Sequence, residues 1–128
     1  MKILGIDYGR SKVGLAIAEG PLADPWKVLH YSETSVLESQ IKKIIETEKI
    51  EKIVVGLSEG QMAEETKEFV AAIQPFIISP IELFDETLSS HDAQEMSRAA
   101  GISQKKRHEM EDAYAAAIML QNYLDSTL

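Results

Sequence analysis

Three carboxylates stand where ordinary surface decoration explains them least well as a group. Asp7 closes the apolar run Ile3-Leu4-Gly5-Ile6, and Glu86 follows Asp85 just past the run Ile81 to Phe84. Taken singly, each has an ordinary reading as a solvated acid at a strand end. Asp112 is harder to dismiss. Along 109–124 the apolar residues Ala113, Ala116, Ala117, Leu120 and Leu124 form one stripe, flanked by Met119 and Tyr123. At about 100° per residue Asp112 falls inside that stripe, whereas Glu111 falls on the opposite, solvated side with Asn122. A carboxylate facing a core is costly unless it is paired, hydrogen-bonded or bound to a metal. A stabilising role near a helix N-terminus is the structural alternative for Asp112. Carboxylates gathered at one rim repel one another and call for a cation. Oxygen-only donors select Mg²⁺ or Mn²⁺ over zinc. One such ion, or two about 4 Å apart, can activate water and stabilise the leaving oxygen of a phosphodiester. The chemistry these residues suggest is metal-assisted phosphoryl transfer.

Such a rim needs parallel strands ending on one edge, where open α/β sheets bind ligands. Lys2 to Asp7 reads as a strand buried on both faces. The turn Tyr8–Ser11 leads to a second strand, Lys12 to Ala18, and Glu19-Gly20-Pro21 to a shorter third strand, Trp26 to Tyr31. Short loops make these three an antiparallel meander. Ser35 to Thr47 then carries Val36, Leu37, Ile41, Ile44 and Ile45 at helical spacing, with Thr34 or Ser35 as the expected cap. Ile53 to Leu57 is a buried strand, 62–73 a helix ending before Pro75, and Ile81 to Phe84 a strand placed after Pro80. Ser89 to Ala100 and Glu109 to Leu124 are the last two helices. The expected fold is an α/β domain over 1–128, with a five-stranded mixed sheet, three strands antiparallel and two added in parallel, flanked by helices. If strands one, four and five are parallel, Asp7, Ser58 and Glu86 meet at one rim.

A chain of 128 residues has room for one core of ordinary size. With no cysteine, disulfide scaffolds, thiolate zinc sites and cysteine nucleophiles are excluded. No apolar run has the length of a membrane span, and the start lacks the layout of a secretion signal, so a cytoplasmic protein with no membrane partner is expected. The formal charge of −8 argues at first against nucleic acid. It is unevenly spread, however: residues 1–30 carry four basic against three acidic groups, and residues 61–90 one against six. Local basic patches and a metal-neutralised acidic site remain open.

At these same residues the sequence resembles the YqgF/RuvX family. Gly5-Ile6-Asp7-Tyr8-Gly9-Arg10-Ser11-Lys12-Val13-Gly14-Leu15-Ala16 is similar to the family's opening motif. Ile53-Val54-Val55-Gly56-Leu57 is similar to its fourth strand, and Asp85-Glu86-Thr87-Leu88-Ser89-Ser90 to its fifth-strand motif. Glu111-Asp112-Ala113-Tyr114-Ala115-Ala116, followed by Ile118-Met119-Leu120, is similar to its last helix. The resemblance implies an RNase H-like fold and a nuclease related to Holliday-junction resolvases, with bacterial members assigned to 5′-end maturation of 16S rRNA. It carries an acidic, metal-binding triad onto Asp7, Glu86 and Asp112. Two departures stand out: Thr87 where the family usually has arginine, and the short loop Ser58-Glu59-Gly60-Gln61.

Around the triad, Arg10 and Lys12 are expected to position a substrate backbone, as are Lys105, Lys106 and Arg107 in a basic loop ahead of Asp112. His108 is a candidate proton shuttle or a plain surface histidine; His30 and His91 read as structural. Tyr8 is expected to wall the site, and Trp26 either packs or stacks on a base. The favoured partner is precursor rRNA, in the context of the small-subunit precursor, for a monomer or weak homodimer. A junction-cutting DNA endonuclease needs the same triad and a dimer. A docking module that has lost catalysis would have no reason to bind Mn²⁺ through all three acids. An actin-like ATPase would need a second lobe that this length cannot supply.

Overall fold

The computed structural model describes residues 1–85 and 104–127, those at 104–108 by their backbone. Its centre is β1 (Ile3–Asp7), whose first four residues are buried. β1 pairs antiparallel with β2 (Lys12–Ala18), which pairs antiparallel with β3 (Ala23–His30). On its other side β1 pairs in parallel with β4 (Lys52–Leu57), and β4 in parallel with β5 (Ile81–Asp85). The sheet order is β3-β2-β1-β4-β5, the mixed sheet expected from the sequence. Helix α1 (Thr34–Thr47) joins β3 to β4, and α2 (Gln61–Ile73) with a single 3₁₀ turn (Gln74–Phe76) joins β4 to β5. The long helix α3 spans Gln104–Ser126. No helix among the described residues is long and apolar enough to cross a membrane.

Period-two alternation divides the sheet's side chains between two cores. Leu4, Ile6, Val13, Leu15, Ile53 and Val55 pack with Leu37, Ile41, Phe69 and Val70 on the α1/α2 side. Ile3, Ala16, Ala18 and Val54 pack with Ala116, Ala117, Met119, Leu120 and Tyr123 on the α3 side. Each large apolar side chain so buried contributes about 1.5–3 kcal/mol by leaving water. On the α3 side β1 and β2 present Gly5, Gly14, Ala16 and Ala18, so the helix sits close. A Cβ on Gly5 would lie 3.1 Å from the Leu120 Cβ.

The structure corrects several boundaries. β3 starts at Ala23, not Trp26: opposite Leu15 and Ala16 of β2 the register shifts by one residue, with Trp26 the extra residue in β3, and Pro25 sits in this outer strand without a ladder hydrogen bond. Helix α1 is capped by Glu33 rather than by Thr34 or Ser35, and no side chain closes its first turn. α3 begins at Gln104, not Glu109, since Gln-Lys-Lys-Arg-His contains no helix breaker. Lys105, Lys106 and Arg107 are therefore on a helix and not in a loop. The apolar arc of α3 is also broader than one stripe: Tyr114 and Ala115 are buried too, and Glu111 is half-buried rather than solvated. The helix expected at Ser89 to Ala100 lies outside the described residues.

Tyr123 ties three elements together. Its hydroxyl accepts a hydrogen bond from Lys52 Nζ of β4 and lies beside the Glu82 carboxylate of β5, while Lys52 and Glu82 lie 3.3 Å apart. Its ring meets Phe84 edge-on at 5.6 Å between centroids. These contacts hold the Glu82 carboxyl below its ordinary range, through Tyr123 first and Lys52 second. Tyr123→Phe keeps the ring and removes the link, so a loss of about 1 kcal/mol in urea unfolding is expected. An unchanged midpoint would show that water replaces the hydroxyl at no cost.

Candidate active site

The parallel strands β1, β4 and β5 do end on one edge. Along their register Ile6 lies beside Val55 and Leu57 beside Asp85, so Asp7 and Asp85 close neighbouring parts of the same rim. Alternation along β1 puts Asp7 on the face of Ile3 and Gly5, the side covered by α3. Glu86, the next residue after Asp85, lies outside the described residues.

Asp112 reaches this rim through a glycine. Gly14 of β2 is the register partner of Asp7. A Cβ on Gly14 would lie 1.9 Å from the Asp112 carbonyl oxygen and 2.8 Å from the Ala113 nitrogen, so the backbone of α3 rests directly on this residue. Asp7 and Asp112 thus flank one glycine, and only the missing side chain permits it. Gly14 was given no role of its own by sequence reasoning. The signal was present: glycine weakens a strand interior, and its place in the alternating run 12–18 marks a close backbone approach.

Because α3 starts at Gln104, Asp112 lies in the third turn of the helix. Helix-dipole stabilisation fades within the first turn, so the structural alternative for Asp112 loses its basis. The carboxylate instead meets Lys12, whose Nζ is 3.2 Å from Oδ2; the side chains are 42% and 28% exposed. Asp7 is half-buried and also makes a polar contact. The donors here are hard carboxylate oxygens, half withdrawn from water, with a cation already drawn to one of them. That chemistry fits Mg²⁺ or Mn²⁺. Among the described residues alone, no group of three or more acids or histidines is arranged as a metal site, and Glu86 is not among them.

The hairpin turn between β1 and β2 is anchored from the opposite side. Arg10 grips Glu65 of α2 through two nitrogens, with Nη2 at 2.8 Å and Nε at 3.1 Å from Oε2. Arg10 is 62% exposed, so its outer face stays open to solvent. The Tyr31 hydroxyl donates to the Gly9 carbonyl, and burial pushes the phenol above its ordinary range. Tyr8 stacks on Phe69 at 4.6 Å and lines a cavity of about 310 Å³ with Thr34, Glu38 and Glu65. It therefore faces α1 and α2, away from Asp7, because neighbours on a strand point to opposite faces. Tyr8 braces the turn from behind and is not a wall of the site. Trp26 packs against the core, with Lys27 Nζ 4.2 Å from its ring centroid. His30 sits at the end of β3 beside Lys12, while the side chains of Lys105, Lys106, Arg107 and His108 fall outside the described ones.

The Arg10 guanidinium holds the Glu65 carboxyl below its usual range, chiefly by hydrogen bonding. A lowered folded value stabilises the fold above the ordinary carboxylate range. That stabilisation is lost as pH falls through the folded value. Urea midpoints followed from about pH 6 to about pH 3 are expected to fall more for wild type than for Glu65→Gln. Parallel curves would mean that the pair contributes nothing to the fold.

The fold is that of the RuvC-like resolvases, an RNase H-like architecture. The RuvC protein of T. thermophilus, solved with a Holliday junction substrate, superposes with a TM-score of 0.66 at 16% identity, covering 99% of this chain and 95% of RuvC. A fowlpox virus resolvase, solved with Holliday junction DNA, gives 0.65 at 14% identity over 100% and 99% of the two chains. The profile of the RuvX family, described as Holliday junction resolvase, matches residues 1–126. A relative from Maridesulfovibrio salexigens is 36% identical, covering 97% of this chain and 98% of its own. One from Protochlamydia amoebophila is 37% identical over 98% and 93%. Both bear the name "Putative pre-16S rRNA nuclease". The chain belongs to the RuvX family.

Proposed function

We propose that this protein is a metal-dependent nuclease that hydrolyses phosphodiester bonds, acting at the 5′ end of precursor 16S rRNA. The observation that carries the reading is that Asp7 and Asp112 both adjoin Gly14, at the edge where β1, β4 and β5 end. In a RuvX-family chain whose relatives are named for pre-16S rRNA cleavage, that pair has an obvious use. Asp7, Asp112 and Glu86 would hold Mg²⁺ or Mn²⁺, as one ion or two. When bound, such ions supply Lewis acidity and charge neutralisation at the scissile phosphate.

The protein's own groups set the rest. Withdrawn carboxylates on a rigid strand and helix stay in place without reorganising. Arg10, with one face free beyond Glu65, and Lys12 at the same rim would align the sugar-phosphate backbone; Lys105, Lys106 and Arg107 on α3 would extend that grip. In the reaction a water oxygen bonds to phosphorus as the opposite P–O ester bond breaks, and the departing oxygen takes a proton. A chain carrying −8 attracts free RNA weakly, so the ribosomal small-subunit precursor, in the cytoplasm, is the setting that best provides the substrate. The whole of 1–128 would act as one nuclease domain, as a monomer or weak dimer.

A second reading has support from the solved resolvases with junction DNA: cleavage of four-way DNA. Both substrates belong in one experiment. The full chain is incubated with Mn²⁺ and either a 5′-extended 16S rRNA fragment or a four-way DNA junction, with Asp7→Asn as the blank. Cutting of the RNA alone, absent in the variant, is the expected result. Cutting of the junction alone transfers the assignment to DNA. No cutting of either by a chain with native circular dichroism supports the docking-module alternative.

A further inference from the structure

We propose that Lys12 is a built-in competitor for the catalytic metal, an internal cation that occupies Asp112 until a divalent ion takes its place. The proposal rests on the reading of Asp112 as a metal-holding residue and adds a role for Lys12 that this reading does not contain.

Asp112 is a partly buried carboxylate. It lies mid-helix with its side chain 28% exposed, beyond reach of the helix dipole, and its backbone is pressed onto β2 at Gly14. A carboxylate withdrawn from water to that degree gains from a positive charge brought beside it. The register supplies one. Lys12 is two residues before Gly14 on β2, and alternation puts both on the face covered by α3. Its ammonium reaches Oδ2 at 3.2 Å.

The residue type also matters. An ammonium is a compact charge on a flexible stem and holds a carboxylate through a single point, whereas a guanidinium would clamp both oxygens. The contrast lies two residues upstream, where Arg10 clamps Glu65 through both Nε and Nη2. The Lys12 side chain is 42% exposed, so its ammonium has a free route to solvent when displaced. A divalent ion at Asp112 would repel the ammonium and become the largest charge in the site. The same atom cannot serve both cations at full strength. Metal loading therefore expels Lys12, leaving its charge at the rim where a phosphate would lie. By linkage, a group that draws Lys12 away strengthens metal binding.

The test is a Mn²⁺ titration of the full chain by calorimetry, with free Mn²⁺ checked by electron paramagnetic resonance and no nucleic acid present. Lys12→Met keeps the stem and removes the charge; Lys12→Gln is a second variant should the first fold poorly. Circular dichroism and melting temperature establish the fold of each. Both variants are expected to bind Mn²⁺ about three- to tenfold more tightly than wild type, the scale of one partly exposed ion pair plus the relieved repulsion. Asp112→Asn is expected to weaken binding, and Lys12→Met added to it to tighten binding less than it does in wild type, because the ion pair it would release is already gone. If Asp112→Asn weakens binding but neither Lys12 variant strengthens it, the competition is wrong while the metal reading stands. If Asp112→Asn leaves affinity unchanged, the metal reading fails and the proposal falls with it. A purely structural role for Lys12 would lower stability without tightening metal binding.

Discussion

Asp7→Asn is expected to lower metal-dependent cleavage by at least about a hundredfold, equivalent to about 3 kcal/mol of lost transition-state stabilisation. The melting temperature should stay within about 4 °C of wild type. The two readouts separate because of where Asp7 sits. It closes β1 at the sheet edge, past Leu4 and Ile6, whose buried side chains hold the strand in place. An amide of the same shape preserves the β1–β2 ladder, including the pairing with Gly14. It cannot supply the negative charge that a divalent ion requires. Removing one of two neighbouring carboxylates also relieves repulsion, which offsets lost polar contacts. Single-turnover cleavage with thermal melts on the same samples checks both. Retained cleavage would take Asp7 out of the site, and a joint collapse of cleavage and melting temperature would make its role structural.

Gly14→Ala is expected to be among the most damaging single-methyl additions to this protein. The new Cβ would sit 1.9 Å from the Asp112 carbonyl oxygen and 2.2 Å from its carbon, both backbone atoms that no rotamer change can move. Either α3 shifts as a body or β2 leaves register. Overpacking of this kind costs about 3 kcal/mol or somewhat more. The stiffer unfolded chain returns about 0.4–1 kcal/mol of that. A net fall in melting temperature of about 10 °C follows for a domain of this size. Gly20→Ala is the control: nothing lies within 4 Å of its Cβ position, and a change of under about 2 °C is expected. Since α3 carries Asp112, the protein that still folds should also lose cleavage. An alanine variant with wild-type stability would mean that the helix rests elsewhere than on this glycine.

Much of the fold was legible residue by residue. The alternation of Val13, Leu15 and Ile17, the unbroken run Ile53-Val54-Val55 and the helical spacing of Leu37, Ile41 and Ile45 all led to the observed elements. Boundaries failed where the cause was not local. The third strand was expected only from Trp26, yet the register shift opposite Leu15 and Ala16 lets it begin at Ala23 with Pro25 inside it. Glu109 looked like the start of a helix because hydrophobic periodicity begins there, yet good helix formers carried α3 back to Gln104. The site was legible as residue types and strand-end positions. Partners were not, since Arg10 with Glu65 and Lys12 with Asp112 join residues far apart in the chain.

Sequence alone picked out which residues could do chemistry: the acids Asp7, Glu86 and Asp112, their family motifs, and their places at strand ends and on a helix face. Those properties are local or patterned, because strand and helix periods are written into consecutive side chains. Tertiary structure decided how Asp112 reaches Asp7, through a glycine that lets helix and strand backbones touch. It also turned Tyr8 away from the site and gave Arg10 and Lys12 different partners. The reason is geometric. Which face a side chain shares, and with which distant charge, depends on register and on the closeness of packing between layers, and neither is encoded in any single stretch of the chain.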